Sequence, residues 1–364
     1  MKQIVLPLKN RTYPICIGQG LLAKTGTLIQ GLGIGKDAVI ITNATIKKKF
    51  FPALSRSLKA KGFSTQCYTV PDSEKAKSIK YCLHLIDSIS RYDKGRQVFF
   101  IALGGGVIGD LTGFIASVYK RGTAYVQIPT TLLAQIDSAI GGKTAIDLTV
   151  AKNLVGAFHQ PKIVTIDTSL LSTLPPRQIK SGLAEVIKYA VIKDAALFSF
   201  LQRASGKIMK LDIKALTFIE ERCIRIKAAI VSKDEREQKG IRTILNFGHT
   251  IGHAVESAAG YRTYTHGEAI AIGMVCASQI AECLGILKKN DAKKIKALIE
   301  LYQLPTAIRQ LPLQKILNAL ARDKKFLDGK NRFVLPVGIG KVVVKKGIPK
   351  NIIRRVIEKN TVAG

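Results

Sequence analysis

The stretch Val98-Phe99-Phe100-Ile101-Ala102-Leu103-Gly104-Gly105-Gly106-Val107-Ile108-Gly109-Asp110 decides the fold. Its first six residues are a continuous apolar run of strand length, as expected for a strand covered on both faces. The run stops at glycines, and Leu111 to Ser117 then reads as helix. A glycine turn between a buried strand and a helix lets backbone N–H groups approach a pyrophosphate, whose charge the helix N-terminus favours. The letters satisfy G-x-G-x-x-G, but no acidic residue follows at about 20 positions to hold a ribose, and this strand is not the first in the chain. An ordinary Rossmann fingerprint is therefore excluded, and a plain strand-to-helix turn remains open.

Working outward, Ala38 to Thr42, Thr65 to Val70, Tyr125 to Ile128 and Ile163 to Ile166 are further strand candidates, and helical stretches separate the earlier ones, up to about Lys61 and over Ser78 to Ser90. This alternation predicts an α/β domain with a mostly parallel, Rossmann-like sheet. After Leu174-Pro175-Pro176 apolar residues recur at helical spacing over Ile179 to Ile192, Leu216 to Val231, Thr250 to Ala259 and Gly267 to Leu287. The reading places a boundary near residue 170, with a mainly α-helical domain beyond it. Phe333 to Pro336 and Val342 to Val344 are late strands or extended loops.

At 364 residues with 47% hydrophobic content, the chain can bury an ordinary core, and collagenous, low-complexity and disordered classes are excluded. Lys+Arg 57 against Asp+Glu 25 gives a net charge of +32. That balance invites a polyanion partner. Against it, aromatic residues are 6%, Trp is absent, and the basic residues are scattered apart from small clusters such as Lys47-Lys48-Lys49. Specific nucleic-acid binding is not expected, and most of the charge reads as solvated surface. The six cysteines form no C-x-x-C pair, so free thiols in a reducing compartment are expected. Ile4-Val5-Leu6-Pro7-Leu8 is too short for a signal peptide, and Ala269 to Ile280 is too short and too polar to span a bilayer. A cytoplasmic protein without membrane contact is expected.

Of five histidines, His249, His253 and His266 fall close together in sequence. The first two are spaced i, i+4 and share a helical face, which suits a metal ligand with a neighbouring acid or base. A zincin is excluded because Thr250, not glutamate, follows His249. A carboxylate from elsewhere must complete any site. Glu185 is the best candidate, a charge inside the apolar helical stretch Gly182-Leu183-Ala184-Glu185-Val186-Ile187-Lys188. Surface histidines and a solvated glutamate would give the same spacing. A cationic and polar set comprises Asp137 to Lys143, Lys152-Asn153, Lys227 and Arg242 to Asn246. Arg and Lys clamp phosphate and carboxylate groups.

Gly104 to Thr112, Arg121, Val126 to Ala134, Asp137 to Asp147, Lys152 to Phe158, Gly182 to Ala190, Lys227 to Glu237, Leu245 to Glu256 and His266 to Met274 occur in the order found in the 3-dehydroquinate synthase family, which the chain resembles over most of its length. The resemblance implies a carbon–oxygen lyase of the sugar phosphate cyclase superfamily, acting on 3-deoxy-D-arabino-heptulosonate 7-phosphate. It implies NAD and a divalent ion, Zn²⁺ or Co²⁺, and a sequence of oxidation, phosphate loss, reduction, ring opening and aldol closure. It further implies that the leaving phosphate itself takes the proton, so that the protein need only hold geometry.

Carried over position by position, the metal ligands become Glu185, His249 and His266. Gly105, Gly106, Asp110, Thr130, Thr131, Glu74, Lys77, Lys143 and Lys152 become dinucleotide contacts. Lys143, Asn153, Lys188, Asn246 and His253 resemble residues around the reacting hydroxyls and phosphate, with Asp137 beside them. On the same resemblance Lys227 and Arg242 would lie nearer the carboxylate, Arg121 looks like an arginine that reaches across a homodimer interface, and Lys324 or Lys325 would complete the set. The expected organisation is an NAD-binding domain over 1–170, a metal- and substrate-binding domain over 171–364, and an active site in the cleft. Two departures stand out. Asp234 to Arg242 is one residue longer than the family spacing, and Ser73 replaces a glycine before Glu74. Another sugar phosphate cyclase, of the 2-deoxy-scyllo-inosose or 2-epi-5-epi-valiolone synthase type, and a metal-dependent polyol dehydrogenase are the competing enzymes.

Overall fold

The computed structural model describes residues 1–148, 152–321 and 331–362. The chain divides into two compact units, Met1–Leu174 with Leu216–Arg236, and Pro175–Ala215 with Glu237–Gly364.

The first unit contains strands β1 (Lys2–Leu6), β2 (Tyr13–Gly18), β3 (Asp37–Asn43), β4 (Ser64–Val70), β5 (Val98–Gly104), β6 (Tyr125–Pro129), β7 (Lys143–Ile146), β8 (Val155–Phe158) and β9 (Ile163–Asp167). Its helices are α1 (Thr25–Gln30), α2 (Ala44–Lys59), α3 (Ile79–Tyr92) and α4 (Gly106–Val118). Seven strands form one sheet in the order β1-β2-β9-β6-β5-β3-β4, parallel except for the β1–β2 pair. Side chains alternate across the sheet as the pleat requires. Ala38 and Ile40 of β3 pack with Phe50, Leu54 and Leu58 of α2, while Val39 and Ile41 pack on the other face with Leu85, Ile89, Leu111 and Ile115. The sheet is thus covered on both faces, which explains why β5 is apolar throughout.

Strand order reverses between β3 and β5: β4 lies outside β3 on one side, and β6 follows β5 on the other. In an open parallel sheet the carboxyl ends at such a reversal flank the binding crevice. Asn43 and Gly104 end those two strands. The hairpin β7–β8, paired Lys143↔Phe158 to Ile146↔Val155, stands apart from the sheet.

Helix α7 (Ile213–Val231) departs from the expected boundary. From Leu216 onward it belongs to the first unit, although the sequence reading assigns everything past 170 to the second. Its Ile224, Ala228 and Val231 share a buried cluster with Ile15, Ile17, Val164 and Ile166 of β2 and β9. Helical periodicity marked the apolar stripe but carried no information about which sheet would cover it.

The second unit holds α5 (Pro176–Lys193), α6 (Ala195–Met209), α8 (His249–Ala258), α9 (His266–Cys283), α10 (Lys289–Leu301), α11 (Leu313–Ala321) and α12 (Lys350–Lys359). Strands β10 (Ile308–Arg309) and β13 (Thr361–Val362) pair in parallel, and β11 (Arg332–Gly338) and β12 (Lys341–Lys346) form a hairpin. Helices α5 and α9 are buried on nearly every side, as expected of central helices in a helical layer. Among the described residues no helix is long and apolar enough to cross a membrane.

Candidate active site

The second unit builds its site from the contact of α5 with the start of α9. Thr265 caps α9, accepting from the Glu268 amide, while the Glu268 carboxylate accepts from the Thr265 amide. The Gly267 amide donates to Ser181 Oγ at 3.0 Å. A Cβ at Gly267 would lie 2.1 Å from the Ser181 carbonyl oxygen, so only glycine permits this approach. Arg177, in the first turn of α5, donates to both Glu268 oxygens at 2.8 and 2.6 Å and to the Thr263 carbonyl at 2.8 Å. The two helices are therefore tied together on either side of His266, at Ser181 about one turn and at Arg177 about two turns of α5 before Glu185.

The result is convergence. His266 Nε2 lies 3.5 Å and His249 Nε2 3.7 Å from Glu185 Oε1, and ligand atoms of the three residues all lie within 4.8 Å of one another. Glu185 is fully buried and ion-paired with the equally buried Lys188. His249 Nδ1 donates to the Phe247 carbonyl at 3.0 Å, which turns the Nε2 lone pair toward Glu185. His266 Nδ1 faces Glu256 Oε1 at 3.4 Å, completing a carboxylate–imidazole pair behind that ring. His253 joins the cluster edge-on to His249, with ring centroids 5.2 Å apart.

Burial pushes His249 well below the ordinary imidazole range, so it is neutral, as a metal ligand must be. Burial also pulls His266 down, but the Glu185 and Glu256 carboxylates outweigh it and hold the ring up at about 10. The cluster therefore calls for a positive charge, which a proton supplies in the metal-free chain. One carboxylate and two imidazoles are a donor set that suits Zn²⁺ with an open position for substrate. Zinc titrated into metal-free protein near neutral pH is expected to release about one proton per ion. Apparent affinity should weaken as pH falls, because the ion must displace the His266 proton; a pH-independent affinity would contradict that competition. Arg242, in the short helical turn Ile241–Asn246 of this unit, is buried, and Asn246 is partly so.

In the first unit the glycine turn opens α4 at the carboxyl edge of β5. A Cβ at Gly106 would meet Ser138 Oγ at 3.0 Å, so a side chain there would crowd the turn where phosphates would approach. Around that edge Lys77, only 3% exposed, donates to Asp110 Oδ2 at 2.8 Å and to Asn153 Oδ1. Glu74 lies 3.8 Å and Asp147 4.0 Å from the same ammonium. Burial disfavours the Lys77 charge, but Asp110, Glu74 and Asp147 more than restore it. Lys152 Nζ lies 3.5 Å from Glu74. Thr130 is buried beyond β6, and Thr131 Oγ1 accepts from the Ala134 amide. Glycine turn, acidic groups and switch-point edge together fit a dinucleotide.

Lys227 donates to the Asp137 carbonyl and carboxylate at 2.6 and 2.5 Å, so these two candidates meet. Lys143 opens β7 and is exposed. Arg121 is exposed and, with Lys120, left-handed, at φ 63° and 49°. Lys324 and Lys325 lie outside the described residues. Ser73 has φ −162°, extended backbone that needs no glycine, so that departure is structurally silent. In the longer segment, Glu237 is left-handed at φ 60°. The sequence reading did not single out Asn43, which donates to Asp72 at 2.7 Å by the switch point, nor Asp147, Arg177, Glu256 or Glu268. Position at strand ends could have found Asn43 and Asp147, and the Thr265-x-x-Glu268 capping spacing could have found Glu268; Arg177 acts by a contact distant in sequence.

The fold is that of the sugar phosphate cyclases. The structure of 2-epi-5-epi-valiolone synthase from Streptomyces hygroscopicus subsp. jinggangensis 5008, with NAD⁺ and Zn²⁺ bound, matches at TM-score 0.87 and 28% identity, covering 97% of this chain and 98% of that one. A 2-deoxy-scyllo-inosose synthase complexed with carbaglucose-6-phosphate, NAD⁺ and Co²⁺ matches at TM-score 0.88 and 27% identity, covering 99% and 100%. The chain belongs to the 3-dehydroquinate synthase family: the family's N-terminal model matches residues 67–181 and its C-terminal model residues 182–326. The 3-dehydroquinate synthase of Desulforamulus reducens is 45% identical over 347 residues, 95% of this chain and 96% of that protein.

Proposed function

We propose that the chain converts 3-deoxy-D-arabino-heptulosonate 7-phosphate into 3-dehydroquinate and phosphate, a lyase step of the shikimate pathway. The convergence of Glu185, His249 and His266, each imidazole held by its second nitrogen, is the observation that carries this reading. Identity of 45% to a 3-dehydroquinate synthase, against 28% and 27% to the two other cyclases, favours this substrate over theirs.

Glu185, His249 and His266 are assigned to hold the divalent ion, and Asp110, Lys77, Glu74, Lys152, Thr130, Thr131 and the glycine turn to hold NAD. When bound, NAD takes and returns a hydride while the ion polarises substrate oxygens. His249 keeps its Nδ1 proton on the Phe247 carbonyl and so offers only Nε2. Lys188 Nζ pairs with Glu185, and Asp137 orients Lys227 Nζ. Arg242 is assigned to the substrate carboxylate, with Lys143, Asn153, Asn246 and His253 around hydroxyls and phosphate. A homodimer is part of the proposal, with Arg121 as the crossing residue. Its left-handed, exposed loop supports that role. A cytoplasmic location fits six cysteines that are all free.

Incubation with the heptulosonate phosphate and NAD tests the reading. Phosphate is expected without lasting accumulation of reduced dinucleotide, with the carbocycle identified by mass and NMR. Chelation should abolish release and Zn²⁺ or Co²⁺ restore it. Stoichiometric NADH instead of phosphate would identify a dehydrogenase.

A further inference from the structure

Asp147 has no place in the assignments above, yet three contacts meet on it. It follows β7 directly, and its amide donates to the Lys77 carbonyl at 2.7 Å, with Ser78 and Asp147 forming a single parallel β-bridge. Its Oδ1 accepts from the Asn153 amide at 2.8 Å. Asn153 in turn accepts, through Oδ1, from Lys77 Nζ. Lys77, Asp147 and Asn153 therefore close a ring of three hydrogen bonds, two of them on Asp147.

The ring matters because of the backbone at Asn153, where φ is +53°. This left-handed conformation is uncommon outside glycine, although asparagine tolerates it better than most residues. It persists where surrounding contacts over-determine it. Asn153 is exposed, so apolar packing does not supply that constraint. The carboxylate of Asp147 does, by fixing the direction of the Asn153 amide and with it the carboxamide.

We propose that Asp147 is a positioning residue: by anchoring the Asn153 amide it sets the Asn153 carboxamide at Lys77, and so couples a substrate-facing group to the dinucleotide-facing lysine. The kinetic consequence rests on the functional reading given above; the anchoring itself does not. The acceptor oxygen does the anchoring. Asparagine at 147 retains an acceptor oxygen, whereas alanine has none.

The test compares wild type, Asp147→Asn and Asp147→Ala in the full-length, metal-loaded protein. Alanine is expected to raise KM for the sugar phosphate about tenfold with less change in NAD affinity, and asparagine to restore KM to within a few-fold of wild type. Amide hydrogen exchange supplies a readout free of turnover: the Asn153 amide should lose protection in the alanine variant and keep it in the asparagine variant. Wild-type KM and protection in Asp147→Ala would overturn the proposal. So would equal damage in both variants together with a lowered melting temperature, the sign of a merely structural group. A wild-type protein that released no phosphate would count against the functional reading alone, and the exchange comparison would still decide the anchor.

Discussion

Glu185→Gln is expected to empty the metal centre and slow phosphate release by about a hundredfold to a few thousandfold. The substitution keeps shape and removes one negative charge from a fully buried position. Lys188, His249 and His266 all face that carboxylate. Losing one partner of a buried charged set costs about 3–5 kcal/mol, and each 1.4 kcal/mol is roughly a decade in an equilibrium or a rate. Zinc content by elemental analysis and single-turnover phosphate release measure the two halves of the effect. A variant that holds stoichiometric zinc, or turns over within tenfold of wild type, would remove Glu185 from the ligand set. Its melting temperature separates metal loss from unfolding.

Gly267→Ala should be nearly as damaging, although the residue carries no chemistry. The new methyl would sit 2.1 Å from the Ser181 carbonyl oxygen, a backbone atom that cannot swing aside. The start of α9 must then lift from α5, stretching the Gly267–Ser181 bond and the two Arg177 bonds to Glu268. Overpacking of this kind costs about 1–3 kcal/mol. Displacement of His266 from Glu185 should in addition weaken zinc affinity by about 10–100-fold. Thermal unfolding and a zinc competition titration check the two effects. Unchanged zinc affinity with a lowered melting temperature would show that α9 can shift without moving His266.

Much of this was legible in the residues. The apolar run ending at Gly104 located the central strand and the turn, because a strand buried on both faces has little freedom in composition. Glu185 stood out as a charge among apolar neighbours, and His249 and His266 by scarcity of their type. The β1–β2 edge and the β7–β8 hairpin were not read, since short strands outside a β-α alternation leave little periodic signal. The supports of the site were hidden for a different reason. Arg177 and Glu268 are distant in sequence, and in a chain of net charge +32 one more arginine carries no distinguishing mark. Asp147 and Asn153 lie close in sequence, but the hydrogen bond that joins them depends on a left-handed backbone angle at Asn153 that no residue type dictates.

The return of α7 to the first sheet has a consequence for biogenesis. A ribosome that has extruded only the residues through Leu174 has made every strand of that sheet, yet not Ile224, Ala228 and Val231, which cover one wall of it. The amino-terminal half must therefore wait, with apolar surface uncovered, until translation has passed residue 236, and a gene fragment cut at the apparent domain boundary should give an aggregation-prone product.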